Sequence, residues 1–206
     1  MPHRSLDKFL FDTSENTKLD WGKRFQIIED LGVAKIFEIN QTEANTNRVV
    51  GTYGYMSPEY AHYGHFSEKP DVFSFGVLLL EIVTRKRNAA FYRSEQSLTF
   101  AGWAWKLWKE GRGMEVIDAS IRETCRPHEA LRCIHIAFLC VQEAPADRPT
   151  MSSVILMLGN EGTTIASSKE PAFSTDFGNS CGVGSSCQSS TRFSNNAVTI
   201  TLPEPR

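Results

Sequence analysis

The sequence predicts a mainly α-helical domain followed by a flexible tail, and three observations carry that prediction. The stretch from Asp71 to Arg85 is apolar on nearly every face, through Val72, Phe73, Phe75, Val77, Leu78, Leu79, Leu80, Ile82 and Val83. A helix that is apolar all round is buried all round, so this segment is the expected centre of the fold. Around it, shorter segments repeat apolar residues at helical spacing. Beyond Leu158 the chain turns rich in Ser and Gly. Such a segment carries too little apolar surface to offset the entropy of ordering it. With 206 residues, 41% of them hydrophobic and 22% charged, the chain is long and apolar enough for one real core.

The elements follow in order. Trp21, Phe25 and Ile28 recur at i, i+4 and i+7, with Asp20 placed as N-cap. From Phe37 to Pro70 the chain is polar and irregular, with Gly51, Gly54, Pro58 and Gly64 along it. A loop that long inside a domain is uncommon and usually functional, so function is sought there first. Phe100 to Lys109 carries Trp103, Trp105 and Trp108 and stops at Gly111-Arg112-Gly113. Pro127 suits the first turn of a helix from His128 to Gln142, with Leu131, Ile134, Phe138 and Val141 facing inward. Thr150 caps the last helix, which ends at Gly159. The stretch Ala197 to Thr201 alternates like a strand, but Pro203 and Pro205 follow at once, and disorder is the favoured expectation.

Composition excludes several classes. A net charge of -2 argues against nucleic-acid phosphates or an anionic membrane surface as partner. The longest apolar run, Phe73 to Val83, contains Glu81 and is too short to span a bilayer. The N-terminus lacks the apolar core of a secretion signal. Five cysteines without a C-x-x-C pair argue against zinc, and Cys133 and Cys140 are expected as buried thiols in a reducing, cytoplasmic environment. His62, His65, His128 and His135 show no metal spacing, and His135 is expected partly buried. The tryptophans are expected to pack rather than to line a ligand groove.

Four motifs occur in a familiar order. Asp30-Leu31-Gly32 and Ser57-Pro58-Glu59 bracket the long loop, with Gly51-Thr52-Tyr53-Gly54-Tyr55-Met56 between them. Asp71-Val72-Phe73-Ser74-Phe75-Gly76 and Asp147-Arg148-Pro149-Thr150-Met151 follow. Together they resemble the C-terminal lobe of a protein kinase, the first two bounding an activation segment over 30–59. Leu31 stands where that family has Phe, and Ser57 where it has Ala. Arg4-Ser5-Leu6-Asp7-Lys8-Phe9-Leu10-Phe11-Asp12, Leu19-Asp20-Trp21-Gly22-Lys23-Arg24 and Thr199-Ile200-Thr201-Leu202-Pro203-Glu204-Pro205-Arg206 resemble plant receptor-like serine/threonine kinases, best the cysteine-rich receptor-like and S-domain branches. The resemblance implies an incomplete kinase C-lobe over 1–158 and a tail over 159–206.

The resemblance also implies ATP-dependent phosphorylation of Ser or Thr, with ATP and Mg as the family's cofactors. No Gly-rich loop, V-A-I-K lysine or His-Arg-Asp catalytic loop is present, and Glu29 runs directly into Asp30. The family pattern places roughly forty residues between them. Phosphoryl transfer is mainly positioning and electrostatics, and of its parts only Asp30, a vestigial Mg ligand, is left. The chain is therefore expected to be inactive, to need no cofactor, and to have no catalytic residue. Thr42, Thr46 and Thr52 fall where the family's activation-segment hydroxyls lie. Glu59 and Arg148 match the family's buried ion pair. Asp71, which in the family orients the catalytic loop, is left as an N-cap. Tyr53 and Tyr55 are expected to anchor the loop by packing. The partners implied are full-length receptor-like kinases or their substrates, on the cytoplasmic side. Losing a packed segment is expected to bare apolar surface on the central helix.

Overall fold

The computed structural model describes residues 5–11, 19–37, 44–45, 48–52, 54–91, 98–174 and 197–201. The helices are α1 (Leu6–Phe11), α2 (Trp21–Phe37), α3 (Pro58–Tyr63), α4 (Glu68–Thr84), α5 (Asn88–Phe91), α6 (Phe100–Lys109), α7 (Gly113–Val116), α8 (Pro127–Cys140) and α9 (Met151–Gly159). Among the described residues short strands accompany them: β1 (Ala44–Asn45), β2 (Arg48–Thr52), β3 (His65–Phe66) and β4 (Ala197–Thr201). The fold is mainly helical, as the sequence predicts.

Helix α4 is the centre. Val72, Leu80 and Val83 have no exposed surface, and Phe73, Phe75, Leu79 and Ile82 are almost as deeply buried. Helix α8 crosses it at Gly76, where an added Cβ would lie 2.6 Å from the Cβ of Cys140. Such a close approach needs the missing side chain. Helices α2 and α9 pack on each other and α2 also reaches α4. Cys133 and Cys140 are free thiols on α8, both buried, and burial pushes the Cys140 thiol up to about 12. The α6 tryptophans are half-buried among aromatic neighbours: Trp105 and Trp108 meet Phe138 edge-on, and Trp103 stacks on Phe100.

Caps explain where several helices begin. Lys23 N–H donates to Asp20 Oδ1 at 2.9 Å ahead of α2, and Ser153 N–H donates to Thr150 Oγ1 at 3.2 Å ahead of α9. Helix α4 starts earlier than its apolar run. Ser67 is its N-cap, accepting from Lys69 N–H at 3.2 Å. Pro70 fits because the first four N–H groups of a helix have no partner within it. Asp71 is therefore not the cap expected from the sequence, but an acid inside the first turn.

The largest departure is α2. Asp30-Leu31-Gly32 does not open a loop; the helix runs on through it to Phe37. Gly32 is buried against Ile155 of α9 and Phe75 of α4, with an added Cβ 3.1 Å from Ile155 Cγ1. Tertiary packing overrides the local turn signal, because Gly32 lets α2 close onto α9 and α4. Ile28, Leu31 and Gly32 thus cover apolar surface that the sequence reading left bare. Among the described residues the exposed large apolar side chains are Val33, Val50, Tyr63 and Leu156.

The chain beyond Leu158 also differs from expectation. Residues 160–174 run over the helices instead of leaving them. Arg132 donates to the carbonyls of Met157, Asn160 and Thr163 at 2.7–2.8 Å. The Gln142 side chain donates to Lys169 C=O at 2.9 Å and accepts from Lys169 N–H at 3.2 Å. Ala172 N–H donates to Val141 C=O at 2.9 Å, and Ala172 is buried. Directed main-chain hydrogen bonds hold a segment whose composition gave no apolar signal. Farther on, Ala197–Thr201 takes the strand that its alternating pattern left open, paired in parallel with β2, while β1 pairs antiparallel with β3.

Candidate functional site

The end of β2, α3 and the first half of α4 form one face. Its anchor is Arg148, which follows a short 3-10 turn over Pro145–Asp147. The guanidinium is fully buried and grips Glu59 of α3 with two hydrogen bonds, Nη1 to Oε1 at 2.6 Å and Nη2 to Oε2 at 2.8 Å. Its remaining N–H groups donate to Gln142 C=O at 2.7 Å, Glu143 C=O at 2.9 Å and Lys69 C=O at 3.3 Å. Phe73 of α4 lies beneath it, 5.0 Å from ring centre to guanidinium carbon. Five directed bonds and a ring face match the fixed fork of an arginine.

Burial works to raise the Glu59 carboxyl, but the Arg148 hydrogen bonds prevail and hold it below the ordinary carboxylate range. Asp118 is likewise held low against its burial, by Ser120 and by buried Arg24, 2.6 Å away. A carboxyl lowered in the folded state stabilises above its unfolded value, and that stability is lost as pH falls through the folded value. Glu81 has the opposite sign: burial raises it, so neutral Glu81 favours the fold in acid. Unfolding midpoints measured from pH 7 to 3 should fall below about pH 5, where unfolded carboxyls begin to take up protons. The fall should be shallower in Glu59→Gln than in the unaltered chain, and equal slopes would remove Glu59 as a contributor.

A second network lies beside the first. Tyr55 Oη donates to Glu81 Oε2 at 2.7 Å, and Asn88 N–H donates to Glu81 Oε1 at 2.7 Å. Asn88 Nδ2 in turn donates to Gly54 C=O at 2.9 Å, and Ser74 Oγ to Tyr55 C=O at 2.7 Å. The turn after β2 is thus tied to α4 and α5 through one buried acid. Tyr55 does more than pack: its hydroxyl satisfies that acid. Glu81, Asn88 and Ser74 were missed as site residues. The signal was available, since a lone acid inside an apolar helix must find partners. Two cavities flank this turn. One of about 510 Å³ is lined by Leu10 and Phe11 of α1 with Leu78 and Glu81. One of about 250 Å³ is lined by Val50, Tyr60, Asp71 and Ser74. Thr52, exposed at the end of β2, and Tyr55 border both.

Of the remaining candidates, Thr42, Thr46 and Tyr53 lie outside the described residues. Asp30 is exposed on the interior turns of α2. Among the described residues no three His, Cys, Asp or Glu side chains gather where a metal ion could sit. A magnesium ion takes near-octahedral oxygen coordination shared between carboxylates, phosphates and water. Asp30 belongs to no such cluster, so the described residues alone do not supply a magnesium ion with that ligand set.

The fold and the ion pair define a class: a helical lobe whose extended segment and short helix are locked to its last helices by a buried Arg–Glu clamp. A solved structure of the pseudokinase domain of BIR2, an immune regulator of the RLK/Pelle family, superposes with a TM-score of 0.64 at 22% identity, covering 80% of this chain and 60% of that one. That likeness establishes the kinase fold. Residues 14–158 match the protein tyrosine and serine/threonine kinase family, and the chain belongs to it. Its relatives include receptor-like kinases of Arabidopsis thaliana. Receptor-like serine/threonine-protein kinase SD1-8 is 50% identical over 82% of this chain and 25% of its own length. G-type lectin S-receptor-like serine/threonine-protein kinase B120 is 45% identical over 98% of this chain and 28% of its own. Cysteine-rich receptor-like protein kinase 10 is 41% identical over 83% of this chain and 31% of its own. The chain thus spans between a quarter and a third of these relatives. The alignment to G-type lectin S-receptor-like serine/threonine-protein kinase At4g03230 runs to 248 positions while covering all 206 residues, so 42 positions find no counterpart here. Among the described residues no helix is long and apolar enough to cross a membrane.

Proposed function

We propose that this chain is a kinase-domain segment of a plant receptor-like serine/threonine kinase that does not itself transfer phosphate. The family reaction is ATP-dependent phosphorylation of Ser or Thr on proteins. The observation that carries the reading is Asp30. The residue matching the family's metal-binding acid is held in the interior of α2, exposed, and among the described residues it belongs to no cluster of three metal-ligating side chains. A carboxylate so placed supplies neither the coordination nor the positioning on which phosphoryl transfer depends.

Thermal unfolding of the purified chain with and without 1 mM Mg·ATP tests this directly. The expected result is an unchanged midpoint. A site with a Kd of about 10 μM would stabilise the fold by about 2.7 kcal/mol at that concentration. That corresponds to a rise on the order of 5–10 °C for a chain of this length, and such a rise would overturn the reading.

The ordered face favours a second role, as a non-catalytic module or decoy on the cytoplasmic side. The clamp of Glu59 by Arg148 and the Tyr55–Glu81–Asn88 network hold the turn after β2 in one conformation, with a cavity on either side. A preorganised surface loses little entropy on binding. Full-length receptor-like kinases and their substrates are the partners this face is proposed to engage.

A further inference from the structure

Strands β2 and β4 lie far apart in the chain, yet they pair in parallel over five residues, from Arg48 opposite Ala197 to Thr52 opposite Thr201. Among the described residues no third strand joins them. The opposite edge of β2 is closed at Val50 by a side chain. Val50 N–H donates to Tyr60 Oη at 3.3 Å, and the Tyr60 hydroxyl donates to Val50 C=O at 3.1 Å. Successive residues of a strand aim their main-chain groups at opposite edges. Val49 and Gly51 therefore face β4, and Thr199, level with Val50, faces them.

The main-chain ladder is what the described residues show joining this pair. A two-stranded ribbon is marginal in water, and parallel strands normally have both faces covered. Here Val50 is 53% exposed and Thr52 is exposed as well. The sequence of β4, Ala-Val-Thr-Ile-Thr, is uncharged and mostly β-branched. Main-chain recognition of this kind is open to any extended segment of the same chemistry. The edge it occupies ends at Thr52, which borders both cavities.

We propose that Ala197–Thr201 is an intramolecular cover on the edge of Arg48–Thr52, a strand that leaves to admit an extended, uncharged, β-branched segment of a partner polypeptide. The contact belongs to the chain's own backbone and stands whether or not the chain transfers phosphate.

Hydrogen exchange on the full chain and on its Thr199→Pro variant tests the cover, since proline removes an N–H that faces β2. Exchange over 48–52 should be at least about tenfold faster in the variant, with α4 unchanged as the mark of an intact fold. A fluorescent peptide with the sequence of residues 195–206 is then titrated into both chains. It should bind the variant at least about tenfold more tightly than the unaltered chain, whose edge is already filled. The same peptide carrying proline at the position of Thr199 should bind neither. Unchanged exchange over 48–52, peptide binding of equal strength to both chains, or no binding to the variant would each overturn the proposal.

Discussion

Replacing Arg148 with alanine lowers the unfolding midpoint of the chain by on the order of 10 °C. The side chain is fully buried and makes five hydrogen bonds, two of them to the Glu59 carboxylate. Its removal leaves that carboxylate in a largely desolvated place without a cation. Removing one partner of a buried pair costs about 3–5 kcal/mol, mostly from the charge left behind. The carbonyls of Gln142, Glu143 and Lys69 lose a donor in the same step, and each buried acceptor left unsatisfied adds to the loss. For about 200 residues, each kcal/mol is about 2–4 °C in midpoint. Arg148→Lys should recover little, because an ammonium cannot reproduce the planar fork that meets both carboxylate oxygens. Glu59→Gln should cost less than Arg148→Ala, since it keeps an acceptor and leaves a cation already served by three carbonyls. Calorimetry of the four proteins decides it; a midpoint within 2 °C of the unaltered chain for Arg148→Ala would mean that the clamp contributes nothing to stability.

The same pair shows why part of the molecule was legible in the sequence. Motif order placed Glu59 and Arg148, 89 residues apart, as partners. Hydrophobic pattern placed α4 at the centre, because nine apolar side chains in one stretch leave no face for water. Asp20 and Thr150 marked helix starts by a local rule that needs no tertiary information. What escaped was set by contacts distant in sequence. Gln142 and Arg132 sit on α8, and nothing near residues 160–172 announces that they will capture that segment. Glu81 read as an interruption of an apolar run, since its partners Tyr55 and Asn88 come from either side of α4. Tyr60 closes the edge of β2 with its hydroxyl, which a period-two pattern does not encode. In each case a polar group is satisfied by a main chain or side chain that local periodicity cannot see.

Asp30 is where a local rule and the fold disagree outright, and substitution separates them. In a loop, Asp30→Pro would cost little. In the interior of α2 it removes the N–H that bonds to the carbonyl four residues back, and its ring clashes with that carbonyl. The expected loss is about 3 kcal/mol or more, a fall in midpoint on the order of 10 °C. Asp30→Ala is the matched control. Its side chain is exposed and alanine is the best helix former, so the fold should hold or gain a few tenths of a kcal/mol. A loop predicts near-equality of the two variants, whereas the helix predicts a wide gap between them. Circular dichroism sharpens the distinction, since the proline should unwind the turns from Asp30 to Phe37 and release Gly32 from Ile155 and Phe75. The apolar surface so bared on α4 and α9 would then bind a dye such as ANS, which the alanine variant should not do. If both variants unfold together with the unaltered chain, Asp30–Phe37 is not the helix that completes this lobe.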